Sequence, residues 1–244
     1  MKITYIHHSS FLVELRHALL LFDYTEGPLP ELAPDKDLII FASHIHGDHF
    51  APVIFSLAVK HPRARYVLSD DIPAKQVPQA LTAPVNFIGS GHTCSLTLTC
   101  GSDLTIHAYK STDEGVAFVV SADGAVIYHA GDLNDWRWNG EPDDWNNQMH
   151  ADYLCELNTM RADGVHPDIA MVPLDGRLEN WFYLGLDEFM EIVGARAVFP
   201  MHFWKDYDII RRLKELPCSA PYRDRVADIR ACGQEFPVKI SGDK

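Results

Sequence analysis

Positive charge is scarce in this chain. Lys and Arg number 21 against 34 Asp and Glu, a formal charge of −13, and the nearest thing to a basic cluster is Arg63-Ala64-Arg65 or the pair Arg211-Arg212. Holding a long phosphate backbone relies on many Lys and Arg contacts, so no nucleic acid partner is expected. Long apolar runs are missing too. None approaches the roughly 18 residues of a membrane-spanning helix, and no membrane partner is expected. The five cysteines (Cys94, Cys100, Cys155, Cys218 and Cys232) are an odd number with no Cys-x-x-Cys pair. The opening Met1-Lys2-Ile3 carries no signal-peptide pattern, which makes the cytoplasm the expected compartment. Cys155, in the apolar stretch Tyr153-Leu154-Cys155, reads as a small buried hydrophobe rather than a reactive thiol.

What is abundant is histidine, concentrated at one place. Ser43-His44-Ile45-His46-Gly47-Asp48-His49 follows the strand-like Leu38 to Ala42 and holds three imidazoles and a carboxylate within six positions. In an extended or tightly turning segment, residues two apart project to the same side. His44 and His46 can therefore converge on one ion while Asp48 and His49 turn toward a second. Imidazole with carboxylate suits Zn2+, with Mn2+ or Fe2+ as alternatives.

Strand candidates are Ile3–Ile6, Leu12–Leu15, Leu19–Phe22, Leu38–Phe41, Arg65–Leu68, Thr105–Tyr109, Val116–Ser121, Ala125–Tyr128, Ile169–Val172 and Ala197–Pro200. Helices are expected over Ala51–Lys60, Leu186–Val193 and Tyr207–Leu216. Asp123-Gly124 between two β-rich runs signals a tight hairpin that places Asp132 just past the second strand. No linker or low-complexity segment divides the chain, whose 47% hydrophobic content is enough for a sizeable core.

The run His44-x-His46-x-Asp48-His49, the later Gly131-Asp132 at a strand end and the late His202 together resemble the metallo-β-lactamase superfamily. The opening Ile3 to Val13, Leu19 to Asp23, Ala125 to Asp132 and Val198 to Trp204 are similar to the family's corresponding elements. Within it, the His-Ser-Ser opening and the Pro-Met-His ending are most similar to the lactonase-like branch that contains ascorbate-6-phosphate lactonase. The resemblance implies one domain over 1–244 and an α/β (α+β) fold, the four-layer αββα sandwich, with metal ligands on loops at one edge. It implies His44, His46, Asp48, His49, Asp132 and His202 as ligands, and Asp23 accepting the other ring N–H of a ligating histidine. It also brings His8 to the metal edge, facing substrate.

One departure from the family stands out. Another histidine is usual between the first run and the Gly-Asp, and Tyr109 to Phe118 has none. His107 reads as a strand residue. Asp113 or Glu114 could fold back as a replacement, with Asp113 the preferred candidate. The expectation is one firmly bound ion at Asp48, His49 and His202, with Asp132 close by, and a weakened second position at His44 and His46.

The chemistry implied is hydrolysis of an ester, lactone or phosphoester of a small polar metabolite by metal-activated water, with Asp132 and Asp48 as the catalytic carboxylates. Trp136 and Trp138 are expected to form one wall of the pocket, and Pro173 to Arg177 with Trp181 and Tyr183 another. Arg177 would grip a carboxylate or phosphate through its planar fork. Two alternatives remain open: a degenerate site that binds a ligand without turnover, and a nuclease-like phosphodiesterase. Assembly into a homo-oligomer is also left open.

Overall fold

The alternation of apolar side chains decides how the strands stack. In a computed structural model that describes residues 1–239, every residue of β3 (Ala18–Phe22) and β4 (Asp37–Ala42) is buried. Leu20, Phe22, Ile39 and Phe41 enter one apolar cluster, while Leu19, Leu21, Leu38 and Ile40 enter another on the opposite face. A period of two thus gives these strands two hydrophobic faces, as in a sheet covered on both sides.

Around β3 and β4, β1 (Lys2–His7), β2 (Ser10–Glu14), β5 (Ala64–Ser69) and β6 (Val85–Ile88) complete most of the first sheet. The second is built from β7 (Thr93–Thr97), β8 (Asp103–Lys110), β9 (Val116–Ala122), β10 (Ala125–His129), β11 (Ile169–Pro173) and β12 (Ala197–Met201). The edge strand β13 (Gln234–Pro237) returns to the first sheet, whose order is β13-β1-β2-β3-β4-β5-β6; the second runs β12-β11-β10-β9-β8-β7. The larger core lies between the sheets. Helices pack outside: α1 (Leu57–Lys60) against β5, and α2 (Asp143–Ala162) and α3 (Leu184–Ile192) against the second sheet, where Tyr128 stacks on Phe189 at 4.9 Å. α4 (Asp208–Glu215) buries Ile209, Ile210 and Leu213 in the larger core. This is the expected αββα layering.

All ten strand candidates and the Asp123-Gly124 hairpin are present, the hairpin with positive φ at both turn residues (52° and 78°). Three expectations need correction. Ala51 to Lys60 is not one α-helix but a 3-10 segment, Pro52–Ser56, followed by the single turn α1; bulky and β-branched Val53, Ile54 and Phe55 disfavour a regular start. The twenty-residue α2 was not expected, because among its residues only Tyr153, Leu157 and Met160 are buried. Cys155 lies on that helix and is exposed; at about 100° per residue it points away from the stripe through Tyr153 and Leu157.

Every element that matters to the site ends at the same edge. β1, β3, β4, β10 and β12 are followed within three residues by His8, Asp23, His44, Asp132 and His202, and β11 is followed by Asp175. Ligand sites of layered α/β sheets gather in this way beyond the carboxyl ends of strands.

Candidate metal centre

The site is built where β4 stops. Asp23, fully buried at the end of β3, accepts from the backbone N–H of Ser43 at 2.8 Å and from its hydroxyl at 2.6 Å, fixing the start of the histidine run. Two glycines let other loops close on it. A Cβ on Gly115 would stand 2.1 Å from the Ser43 carbonyl oxygen, and one on Gly131 would stand 2.8 Å from the Ser43 Cβ; both have positive φ. Non-glycine residues His8, Asp23 and His202 also adopt positive φ here (49°, 45° and 64°), backbone strain of the kind that concentrates at functional sites.

Side chains then converge in two groups. His8, Asp48, His49 and His202 place donor atoms within 4.8 Å of one another, and so do His44, His46, Asp113 and Asp132. Asp132 spans both: one oxygen lies 3.1 Å from His49 Nε2 and the other 3.4 Å from His44 Nε2. Asp48 Oδ2 lies 3.3 Å from His8 Nε2 and 3.6 Å from His202 Nε2, and Asp113 Oδ2 lies 3.6 Å from His46 Nδ1. Tetrahedral donors on bonds of about 2.0–2.2 Å stand about 3.3–3.6 Å apart. These spacings fit an ion.

Hydrogen bonding fits as well. Nε2 of His8, His44, His49 and His202 and Oδ1 of Asp132 are buried without a hydrogen-bond partner, which is costly unless something else satisfies them. In three of these rings the opposite nitrogen is engaged, whereas His8 Nδ1 is also buried without a hydrogen-bond partner. His49 Nδ1 lies 2.7 Å from Asp23 Oδ2, His202 Nδ1 lies 2.8 Å from Asp175 Oδ2, and His44 Nδ1 lies 3.0 Å from Ser43 Oγ. A proton held on Nδ1 leaves the Nε2 lone pair facing the cluster, the arrangement of ligating histidines.

The electrostatics ask for positive charge. Burial opposes a charged His49, yet Asp132 and Asp23 outweigh it and raise its pKa well above the usual imidazole value. Burial likewise works to raise Asp132 and Asp48, but the surrounding histidines hold both below the carboxylate range. Burial and then Asp132 raise Asp113. In the second group, His46 and Asp113 have side chains 42% and 44% exposed, whereas His49 and His202 of the first are buried, so the two positions differ in access to water.

The structure therefore brings all six residues of the histidine and aspartate set together, with Asp113 beside His46, Asp23 behind His49 and His8 against Asp48. Asp175 was missed as the support of His202, although it ends an apolar strand just as Asp23 does. Glu114, whose Oε2 lies 3.5 Å from His46 Nε2, adds a further carboxylate. The cleft above the groups, about 320 Å³, is lined by Trp136, Trp138 and Arg177 as expected. Trp181 and Tyr183 do not line it; Trp145 and Met149 of α2 take that side.

Similarity to known proteins agrees with this construction. The profile of the family described as "Beta-lactamase superfamily domain" matches residues 2–138, which is more than half of the chain and includes the histidine run and Asp132. A metal-dependent hydrolase of Methanospirillum hungatei is 26% identical over 233 residues, covering 87% of this chain and 86% of that protein. Another, from Methanocorpusculum labreanum, is 29% identical over 215 residues, 83% of each. Among solved structures, a metallo hydrolase from the hyperthermophilic archaeon Ignicoccus hospitalis shares the fold with a TM-score of 0.69 at 18% identity, over 98% of this chain and 99% of that one. The chain belongs to the β-lactamase superfamily.

Proposed function

We propose that the protein is a metal-dependent hydrolase of a small substrate, with an ester, lactone or phosphoester as the bond cleaved. The observation that carries this reading is the convergence of four buried, unpartnered imidazole Nε2 atoms and Asp132 Oδ1 on two four-donor groups joined by Asp132. His8, Asp48, His49 and His202 would hold one divalent ion, and His44, His46, Asp113 and Asp132 the other. Asp113 replaces the histidine usual in the family, so the two positions have equal donor numbers. That revises the expectation of a weakened second position. Two carboxylates with two imidazoles make the second position harder, admitting Mn2+ or Fe2+ beside Zn2+. Bound divalent ions lower the pKa of a coordinated water from about 15.7 toward 7 and polarise the bond attacked.

The chain's own residues do the rest. Asp132 Oδ1, without a hydrogen-bond partner and facing His49 and His202 while Oδ2 faces His44, orients the attacking water by accepting its hydrogen bond, and Asp48 Oδ2 fixes His8 and His202 around the same space. Asp23 and Asp175 hold their histidines in one tautomer and one direction. Trp136 forms a wall against His202, with ring centroids 5.3 Å apart, and limits water on that side.

Two measurements test the reading. Protein loaded with Zn2+ or Mn2+ should turn over aryl ester, lactone or phosphodiester substrates, and His49→Ala and Asp132→Asn should each lose at least about a hundredfold in kcat/KM. Two firmly held ions without turnover of any of these would favour a ligand-binding module instead.

A further inference from the structure

The hydrolase reading leaves the substrate side of the cleft unassigned, and that side is built from unusual material. The chain has five tryptophans, and four of them stand at this one place. Trp136, Trp138 and Trp145 line the cleft with Met149, and Trp204 packs on the metal edge, its ring 4.3 Å from that of His8. Trp145 and Trp204 are 40% and 50% exposed. Aromatic rings left open to water around a concave site are surface that a ligand would cover.

Among the residues lining the cleft, Arg177 is the only lysine or arginine. Its guanidinium is held in place from several directions. Nε and Nη2 bond Asp175 at 2.9 and 2.6 Å, and the group lies over the rings of Trp138 and Trp204 at 5.7 and 5.1 Å. No hydrogen-bond partner of Nη1 is found among the described residues. An arginine oriented by a carboxylate and by aromatic faces loses little freedom when it meets an oxyanion. The carboxylates of Asp48, Asp113 and Asp132 on the cleft floor would repel an anion that lacked such a partner.

We propose that the substrate has two parts besides its scissile bond: a flat apolar body, aromatic in the simplest case, seated on Trp136, Trp138 and Trp145, and a carboxylate held by Arg177. The inference rests on the hydrolase reading. Asp175 joins the two halves of the site, since it receives both His202 Nδ1 and the Arg177 fork. Arg177 is thus a specificity residue anchored on the same carboxylate as a candidate ligand.

The test uses the metal-loaded protein and three non-hydrolysable probes: phenylacetate, its neutral amide phenylacetamide, and acetate. Binding is read by calorimetry and by tryptophan fluorescence, with metal content measured on every sample. Phenylacetate should bind about tenfold or more tighter than either other probe, the increment expected of one charge-assisted pair or one stacked ring. In Arg177→Gln the preference over phenylacetamide should fall to about twofold or less. Because that change could disturb His202 through Asp175, the exposed Trp145→Ala on α2 provides a second variant. It should keep full metal content and lose most of the preference for phenylacetate over acetate. An anion preference undiminished in Arg177→Gln would assign the anion to the ions, and equal binding of acetate and phenylacetate would remove the aromatic seat. Either result overturns the proposal. Turnover of generic aryl esters reports separately on the hydrolase reading, which would survive either failure.

Discussion

At the scale of single residues, the histidines matter less by their number than by what stands behind each one. Asp23 and Asp175 fix which ring nitrogen of His49 and His202 faces the centre of the donor group, and carboxylates that support a ligating histidine in this way are worth about 10–100-fold in metal affinity. Asp23→Asn should therefore weaken metal binding by that factor in a chelator competition while the far-UV circular dichroism stays unchanged. An unaltered affinity would make Asp23 a packing residue only. Much of this level was legible in the sequence: the spacing of the histidine run picks out Asp48 and His49, while Asp132 and His202 were legible through the resemblance to the family. Asp113 was named as one of two possible replacements, but Asp175 was not, since a carboxylate past a strand end does not by itself say which distant histidine it meets, and only Asp23 had a counterpart in the family resemblance.

A second residue-scale prediction concerns Glu188 on α3. Burial, with the neighbouring Asp135, pushes its pKa from the ordinary 4.5 up to about 8. The folded chain keeps a proton there that the unfolded chain has released, so this group makes stability fall as pH rises from about 4.5 to about 8. Glu188→Gln should raise Tm at pH 8.5 by at least about 2–4 °C, the shift that roughly 1 kcal/mol produces in a chain of this size. At pH 4.5 it should have little effect. A lower Tm at pH 8.5 would mean that the ionised carboxylate is satisfied in the fold, for instance by a cation shared with Asp135 and His150.

At the scale of elements, the site depends on how closely loops approach the end of β4. Gly115→Ala would drive a Cβ into the Ser43 carbonyl at a positive φ. It should cost about 1–3 kcal/mol or more and lower metal content with it. Gly47, inside the ligand run itself, has nothing within 4 Å of an added Cβ, so Gly47→Ala should stay within about 0.5 kcal/mol of wild type. Thermal unfolding of the pair separates close approach from mere nearness to the ligands. The elements that escaped sequence reading share a physical cause. β6, β7 and β13 are edge strands, short or with every other residue exposed, and α2 buries few side chains, so neither kind shows a strong hydrophobic period. α2 is nonetheless what brings Trp145 and Met149 to the cleft. The cleft wall was for that reason only half visible in the sequence.

At the scale of the whole molecule, strands of both sheets end at one edge, and residues from position 8 to position 202 meet there. An ion bound at that edge ties the two sheets together. Chelation should consequently lower Tm, since a ligand present at about 100 times its Kd stabilises the folded state by about 2.7 kcal/mol. The surplus of acidic residues over the rest of the surface adds a long-range attraction for cations, so metal uptake should slow as salt is raised. The central claim is that two four-donor groups joined by Asp132 each hold an ion, with Asp113 standing in for a histidine. Metal analysis after exhaustive dialysis, on the wild type and on Asp113→Ala, tests it most directly. The account predicts two equivalents per chain in the wild type and one in the variant; one or none in the wild type, or two retained in Asp113→Ala, would contradict it.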